Sequence, residues 1–371
     1  MPEVIVIGAG PVGLLLGAEL RRHGIDVEIL EQRASPGPGS RAVGVHAPTL
    51  AALEPSGLTE QLLVHALRVD RGEARSEGRR LGTVRFDRLS ARFPFVATLP
   101  QADTERVLAA AAPAPDRGVR ITGLHPMGHR VELESDEDVR SAPLVVLAGG
   151  ARSRDLVYAH PAARTYPDRY LMTDVDLGAH RDSETAVVHL DGDGVLESFP
   201  LPGGRRRFVA WDPAEASADP EARRRRMGHA LERRGERGPA EVTAFAVRRY
   251  VAPQMRNGRL FVVGDAAHEV SPIGGQGMNL GLLDAATLAP LLADWVHTGT
   301  APEADLRSWE RERIRSARRA ADLAALNTRL GRPAGPSVDA LRRRMLRAML
   351  GPGAGRVFAH AYAMGFDAAT S

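Results

Sequence analysis

Apolar residues in this chain gather in short, dense runs, and the spacing within and between the runs predicts the elements. Residues 4–7 (Val-Ile-Val-Ile) are wholly apolar and β-branched, which suits a parallel strand buried on both faces. A helical spacing follows over 11–22 and stops at His23-Gly24, and residues 27–30 repeat the strand pattern. Strand, helix and strand in that order make a βαβ unit. After the turn-rich run 35–40 (Ser-Pro-Gly-Pro-Gly-Ser), one helix is expected over 48–67.

From 69 to 99 the chain is polar and Arg-rich with patchy alternation, as in Thr83-Val84-Arg85-Phe86-Asp87, and strands are predicted there. A helix over 102–112 is stopped by Pro113 and Pro115, and strands are expected at 118–122, 130–134 and 144–148. Strand patterns return at 186–190, 195–199 and 207–211, before an Arg-rich helix over 220–234. Its run Arg223-Arg224-Arg225-Arg226 is expected to be a solvated face. Residues 260–263 form another short apolar strand, and 278–296 a helix that Pro290 should kink. Helices over 303–330 and 337–350 close the pattern. No repeat or low-complexity linker separates the two kinds of segment, so the second set of strands is interleaved with the first domain.

Composition narrows the chemistry. At roughly 150 residues per domain, 371 residues suggest two domains. The 49 basic residues are all Arg, and with 46 acidic residues they give a net charge of +3. With neither Cys nor Lys, the chain has no disulfide, no thiolate nucleophile, no Schiff-base lysine and no P-loop lysine. A redox role therefore needs a bound organic cofactor. The high isoelectric point reflects the absence of groups that lose a proton above neutrality, and no nucleic-acid partner is expected from it. The histidines show no metal-ligand spacing, so no metal is expected. No apolar run approaches the ~18 residues of a membrane span. The N-terminus lacks a basic leader segment, and a cytoplasmic location is expected.

Two motifs carry the chemistry. Gly8, Gly10 and Gly13 lie between a strand and a helix, the spacing of a dinucleotide fingerprint. The helix start at Pro11 and Val12 would turn its unpaired N–H groups toward a pyrophosphate. Glu31, 18 residues beyond Gly13 with Gln32 and Arg33 beside it, is placed to hold ribose hydroxyls. The second motif is Gly264-Asp265-Ala266-Ala267-His268 after a strand. It is followed by Pro272-Ile273-Gly274-Gly275-Gln276-Gly277-Met278-Asn279, which opens a long helix. Its glycine-rich backbone offers N–H groups at a second positive helix end. One cofactor spanning two helix starts nearly 270 residues apart is a long dinucleotide. His268 is expected to be structural, bonding near Asp265.

The run from Gly264 to Ala285 resembles the signature of the class A flavin monooxygenases, the para-hydroxybenzoate hydroxylase-like FAD enzymes. Further matches occur in order along the chain: Ser40-Arg41-Ala42-Val43-Gly44, Leu99-Pro100-Gln101 with Thr104-Glu105-Arg106, Phe199-Pro200-Leu201-Pro202-Gly203-Gly204, and Trp309-Glu310-Arg311-Glu312-Arg313. The resemblance implies an α/β fold, α+β overall. It would join a Rossmann-like FAD-binding domain (1–68, 101–165 and 248–300) to a mostly antiparallel substrate-binding sheet (69–100 and 166–247) and a C-terminal helical segment (301–371).

The resemblance also implies roles. Asp265 would bind the ribityl chain, Pro272 would lie beside the isoalloxazine, and Gly275, Gly277, Met278 and Asn279 would meet its pyrimidine edge. Arg41 would sit over the flavin or at the pyridine nucleotide, and Gln101 would touch the cofactor. No side-chain base is assigned, because the family's oxidant is the flavin C4a-hydroperoxide made from O2 after reduction by NADPH or NADH. The implied substrate is an aromatic or polyketide-like molecule, hydroxylated or opened by Baeyer–Villiger insertion. Tyr170, His189, Phe199 and Trp211 are candidates to line its pocket, with core packing the better-supported alternative for each.

Two departures from the family pattern stand out. Gly149, in Ala148-Gly149-Gly150-Ala151-Arg152-Ser153-Arg154, occupies the place of an Asp associated with FAD and NAD(P)H binding. The stretch 357–367 resembles the point where larger antibiotic hydroxylases continue into a thioredoxin-like domain, which is expected to be absent here. A related FAD reductase of unsaturated substrates, or a flavin-binding protein without turnover, are the alternative readings. A halogenase is disfavoured, because neither the Trp-x-Trp-x-Ile-Pro motif nor its catalytic Lys is present.

Overall fold

The structure, a computed structural model, describes residues 1–37, 42–159, 161, 163–180, 182–239, 241–351, 360, 361 and 364. The first apolar run forms β1 (Val4–Ile7), followed by α1 (Pro11–Arg22) and β2 (Val27–Glu31). β3 (Gly44–Val45) leads into α2 (Ala47–Leu53) and α3 (Leu58–His65). The one helix expected over 48–67 is thus two. Pro55 falls in a 3-10 turn between them, and Gly57 takes a left-handed φ of 73°, which favours glycine.

β4 (Leu67–Val69), β5 (Arg71–Ser76), β6 (Arg79–Arg85) and β7 (Val96–Thr98) precede α4 (Gln101–Ala111). The chain then forms β8 (Asp116–Arg117), β9 (Ile121–Pro126), β10 (Val131–Ser135), β11 (Val139–Ala142) and β12 (Leu144–Leu147). Four long strands come next: β13 (Arg164–Asp176), β14 (Thr185–Asp191), β15 (Gly194–Leu201) and β16 (Arg205–Asp212). α5 (Pro220–Glu232) and β17 (Thr243–Val251) lead to the short β18 (Arg256–Asn257), β19 (Leu260–Val262) and β20 (His268–Glu269). Three helices complete the order: α6 (Gly277–Thr298), α7 (Glu303–Leu330) and α8 (Pro336–Met349). α6 runs through Pro290 as one helix.

Six strands make the first sheet, in the order β18-β19-β12-β1-β2-β8, parallel except for the β18–β19 pair. Reversal of strand order on either side of β1, with α1 crossing over, gives the Rossmann-like arrangement. Val4–Ile7, Leu144, Val145, Val146, Leu147, Phe261 and Val262 are all buried, in one core with residues of α1 and α6 and with Ile121, Val131, Leu133 and Ala142 of β9, β10 and β11. A second sheet of eight strands runs β20-β17-β13-β16-β15-β14-β5-β6 and is antiparallel apart from the β14–β5 pair. Two small antiparallel sheets, β11-β10-β9 and β3-β7-β4, complete the set.

β13 and β17 were not anticipated as full strands. Their buried positions include Asp168 and Thr173, so a count of apolar residues underestimates them. The Arg-rich face of α5 is also less uniform than its sequence suggests. Arg224 and Arg225 are exposed, but Arg226 reaches back to the buried carboxylate of Asp212 at 2.6 Å.

Candidate functional site

A large cavity of about 1380 Å3 lies between the two major sheets. Cavities for one small ligand are commonly ~300–1,000 Å3, so this one has room for a second molecule beside a cofactor. Along one side it is lined by Gly8, Gly10, Pro11 and Val12 from the β1–α1 turn, and by Glu31, Gln32 and Arg33 after β2. Gln101 at the start of α4 also lines it, with its amide donating to Glu105 at 2.8 Å. Further along come Asp265, Pro272, Gly275, Gly277 and Met278. Gly13 and Asn279 stand just behind this lining. Arg41 and Ser40 lie outside the described residues, as does most of the stretch 357–367.

The turn after β1 is shaped by what its glycines exclude. A Cβ on Gly13 would fall 1.9 Å from the Gly8 carbonyl oxygen, and one on Gly8 would fall 2.6 Å from that of Ala148. A Cβ on Gly10 would meet nothing within 4 Å, because that position faces the open cavity. Neither α1 nor α6 has a side-chain cap, so both helices present bare N-termini there. The two starts are held together where α1 and α6 cross: a Cβ on Gly281 would sit 2.6 Å from Val12 and 3.0 Å from the Gly264 Cα.

Glu31 is 4% exposed and fastens this turn. Its carboxylate accepts from the Ala9 N–H at 2.8 Å and from the Arg33 N–H and Nε at 2.9 and 3.0 Å. Burial works to raise its pKa, and the hydrogen bonds from Arg33 and Ala9 outweigh it and hold the pKa low. It stays an anion at neutral pH.

Around Asp265 the scaffold is ionic and dry. Asp284, in the interior of α6, accepts from His268 Nε2 at 2.5 Å, Arg313 Nε at 2.8 Å and the Gly264 N–H at 3.0 Å. Asp284, His268 and Arg313 are all buried. Burial pushes the Asp284 carboxyl up, yet His268 and Arg313 hold it below the ordinary carboxylate range. His268 is therefore a structural residue, and its partner is Asp284, which also holds the Gly264 N–H next to Asp265. From the other side, the buried Arg154 donates to the Asp265 carbonyl at 2.6 Å and lies 3.9 Å above the Tyr250 ring centroid. Arg154 had no assigned role from the sequence, although it closes the Gly149-containing stretch. A Cβ on Gly149 would lie 2.7 Å from Ser153 Oγ, so an Asp there requires Ser153 to move.

Asn279 uses its whole side chain on backbone. Oδ1 accepts from the His46 N–H at 2.9 Å, and Nδ2 donates to the carbonyls of Gly44 and Gly275 at 2.8 and 3.1 Å. It thereby locks the segment after residue 41 to the start of α6. His46 lines the cavity, and burial pulls its pKa down to about 4, so the ring is neutral at pH 7. Its Nδ1 is buried and unpartnered.

The eight-stranded sheet supplies the opposite wall, largely apolar, with Met172, Val188, Val195, Phe199, Val209 and Phe245 among its side chains. Of the four sequence candidates for a substrate pocket, Phe199 is on this wall. His189 falls between Val188 and Leu190, which line the cavity, so strand alternation turns it to the other face. Tyr170 shares the face of Met172, two residues along β13, but is fully buried there and stacks on Phe245 at 5.8 Å between ring centroids. Trp211 packs over Gly194 and donates to Asp168 at 3.2 Å. Glu197, missed in the sequence, does line the cavity. It lies two residues from Phe199, and period-two alternation was the signal that could have found it.

A largely parallel sheet with two bare helix ends, sharing one cavity with a large antiparallel sheet, defines a dinucleotide-binding class of fold. Residues 1–324 match the family described as FAD binding domain, and the chain belongs to that family, among the class A flavin monooxygenases. It is 38% identical over 335 residues to 6-methylpretetramide 4-monooxygenase from Streptomyces rimosus, covering 84% of this chain and 59% of the relative. A rifampicin monooxygenase from Streptomyces venezuelae is 33% identical, with 84% of this chain and 68% of the relative covered. The chain thus spans about three-fifths of the first relative's length. Among solved structures, p-nitrophenol 4-monooxygenase from Pseudomonas putida shares the fold over 98% of both chains, with a TM-score of 0.88 at 23% identity. The anhydrotetracycline hydroxylase from Streptomyces rimosus superposes on 98% of this chain and 75% of its own, with a TM-score of 0.80 at 26% identity. Among the described residues no helix is long and apolar enough to cross a membrane. Nor does any group of three or more His, Asp or Glu side chains there suit a metal ion.

Proposed function

We propose that the chain is an FAD-dependent monooxygenase that takes electrons from NADPH or NADH and transfers one oxygen atom of O2 to an aromatic or polyketide-like small molecule. The observation that carries this reading is the shared cavity: bare helix N-termini and polar residues line one side, and an apolar sheet face lines the other. The residues fit FAD. The open position at Gly10 leaves room for a pyrophosphate at the N-terminus of α1, and the anionic Glu31, with Gln32 and Arg33, suits the adenosine ribose. Asp265 is assigned to the ribityl chain, Gln101 to the cofactor's flank, and Pro272 to the face of the flavin ring. Gly275, Gly277, Met278 and Asn279 are assigned to its pyrimidine edge.

Asn279 has no spare side-chain donor, because all its bonds go to Gly44, His46 and Gly275, so its contribution there is its backbone N–H. N–H groups at the start of α6 favour a negative charge that develops beside them. When bound, FAD supplies the electron storage and O2 activation that no side chain of this chain can provide. The protein holds the ring, keeps His46 neutral beside Gly275, and excludes water with the apolar wall. No side-chain base is required. Arg41 is retained as a flavin-side residue on its resemblance to the family's loop.

The test is oxygen consumption. FAD-loaded protein with NADPH and a phenolic polyketide is expected to take up O2 at a rate that rises with the phenolic compound. NADPH oxidation without that uptake favours the reductase reading. No flavin reduction at all favours a binding protein without turnover, with Gly149 as the residue to examine.

A further inference from the structure

The sheet wall carries one carboxyl where the pattern calls for an apolar side chain. Glu197 lies in the middle of β15 and is 4% exposed. In register it faces Val188 on β14 and Val209 on β16, and along its own strand the same face carries Val195 and Phe199. All four of these neighbours line the cavity, as do Ile273 and Gly274 from the loop before α6. Among the described residues, the polar group set against the carboxyl is the Gly274 backbone N–H. Tyr170 on β13 is close enough to feel its charge. Charged residues elsewhere on the wall are engaged or solvated: Glu73 with Arg75 at 2.7 Å, Arg207 with Asp174 at 2.7 Å, and Arg248 exposed. Burial pushes the Glu197 carboxyl up to about 8, so it is mostly protonated at pH 7. A protonated carboxyl has one O–H to donate, and leaving it unmatched in an apolar wall is costly. Among the described residues it joins no ion pair, and its bond from the Gly274 N–H occupies one carboxyl oxygen, so the other is left for a ligand.

We propose that Glu197 is the polar anchor of the substrate half of the cavity: one carboxyl oxygen is held by the Gly274 N–H, and the other donates a hydrogen bond to a carbonyl or phenol oxygen of a flat, neutral, polycyclic ligand. The proposal rests on the monooxygenase reading for its ligand class. It adds a selection rule, because the neighbouring cation on this face, Arg207, is already paired with Asp174, while a ketone or phenol finds a donor.

Xanthone and xanthene test this directly. They share one tricyclic frame and differ at the carbonyl, and neither titrates between pH 6 and 9.5. Binding to FAD-loaded protein is followed by the change in flavin absorbance, without NADPH, so the result does not depend on turnover. At pH 7 xanthone is expected to bind about tenfold tighter than xanthene, the worth of one good hydrogen bond in a dry site. The preference should fade as pH rises through 8, because the neutral carboxyl exists only below its pKa. Glu197→Gln keeps a donor and should keep the preference at every pH, whereas Glu197→Leu should erase it while binding xanthene at least as well. The proposal is overturned if Glu197→Leu retains the preference, if the wild-type preference does not change up to pH 9.5, if Glu197→Gln behaves like Glu197→Leu, or if neither compound binds. Failure of substrate-dependent O2 uptake with the xanthone preference intact would overturn the monooxygenase reading and leave the anchor standing.

Discussion

Gly10→Ala should leave the unfolding midpoint of the FAD-free protein nearly unchanged and weaken FAD binding at least tenfold. The position has φ −81° and ψ −178°, which Ala adopts freely, and nothing lies within 4 Å of the added methyl group. Ala is a poorer N-cap than Gly by about 0.5–1 kcal/mol, and the reduced chain entropy on replacing Gly offsets about 0.4–1 kcal/mol. The methyl group therefore meets only what occupies the cavity. Gly13→Ala is the contrasting variant. Its methyl group would be 1.9 Å from a backbone oxygen that cannot rotate away, so the β1–α1 turn must open. Overpacking of this kind costs about 1–3 kcal/mol, and both apo stability and FAD affinity should fall. Equilibrium unfolding and FAD titration of the two variants separate the effects. Wild-type FAD affinity in Gly10→Ala would mean that the pyrophosphate does not lie against this turn.

Asp284→Leu is expected to be among the most destabilising single changes, at about 3–5 kcal/mol, because it takes away the buried carboxylate that Arg313 and His268 share and the acceptor of the Gly264 N–H. Adding Arg313→Leu should recover part of the loss, since the buried positive charge goes with it. The pH dependence follows from the direction of the shift. The folded-state pKa of Asp284 is depressed, so its stabilisation is complete above the ordinary carboxylate range and is lost as pH falls through the depressed value. Denaturant midpoints measured from pH 7 down to pH 3 should therefore show a shallower acid limb in Asp284→Leu than in the wild type. Because Asp284 fixes the turn that carries Asp265, the same variant should also retain less FAD.

What was legible in the sequence was what local chemistry dictates. The run 4–7 could only be a doubly buried strand, and the glycine spacing after it is required by backbone contacts of 1.9 and 2.6 Å that any Cβ would break. The bare start of α6 was visible in the same way, as glycines leading into an apolar helix. Less was legible where a polar residue is buried by partners distant in sequence. Arg206 sits in the run Arg205-Arg206-Arg207, yet it is 1% exposed and bonded to Ser198 and to the backbone of Thr185 and Ser198. Arg313 and Asp284 are 29 residues apart and meet only because α6 and α7 pack together. His46 and Asn279 are joined across 233 residues. Pattern reading assigns such side chains to the surface, because burial of charge depends on a partner that periodicity cannot supply. The substrate wall shows the same limit: residue type could not separate pocket from core, and alternation turns His189 to the other face while Tyr170 and Trp211 share the face of Met172 and Val209 as part of its packed core.

The most direct measurement is the fate of the oxygen atoms. FAD-loaded protein, NADPH and a phenolic polyketide are incubated under 18O2, and the product is weighed by mass spectrometry. The account predicts a product carrying one 18O atom, with none gained from 18O-labelled water under ordinary O2. A product that is reduced but unlabelled under 18O2, or oxygenated only from water, would contradict it.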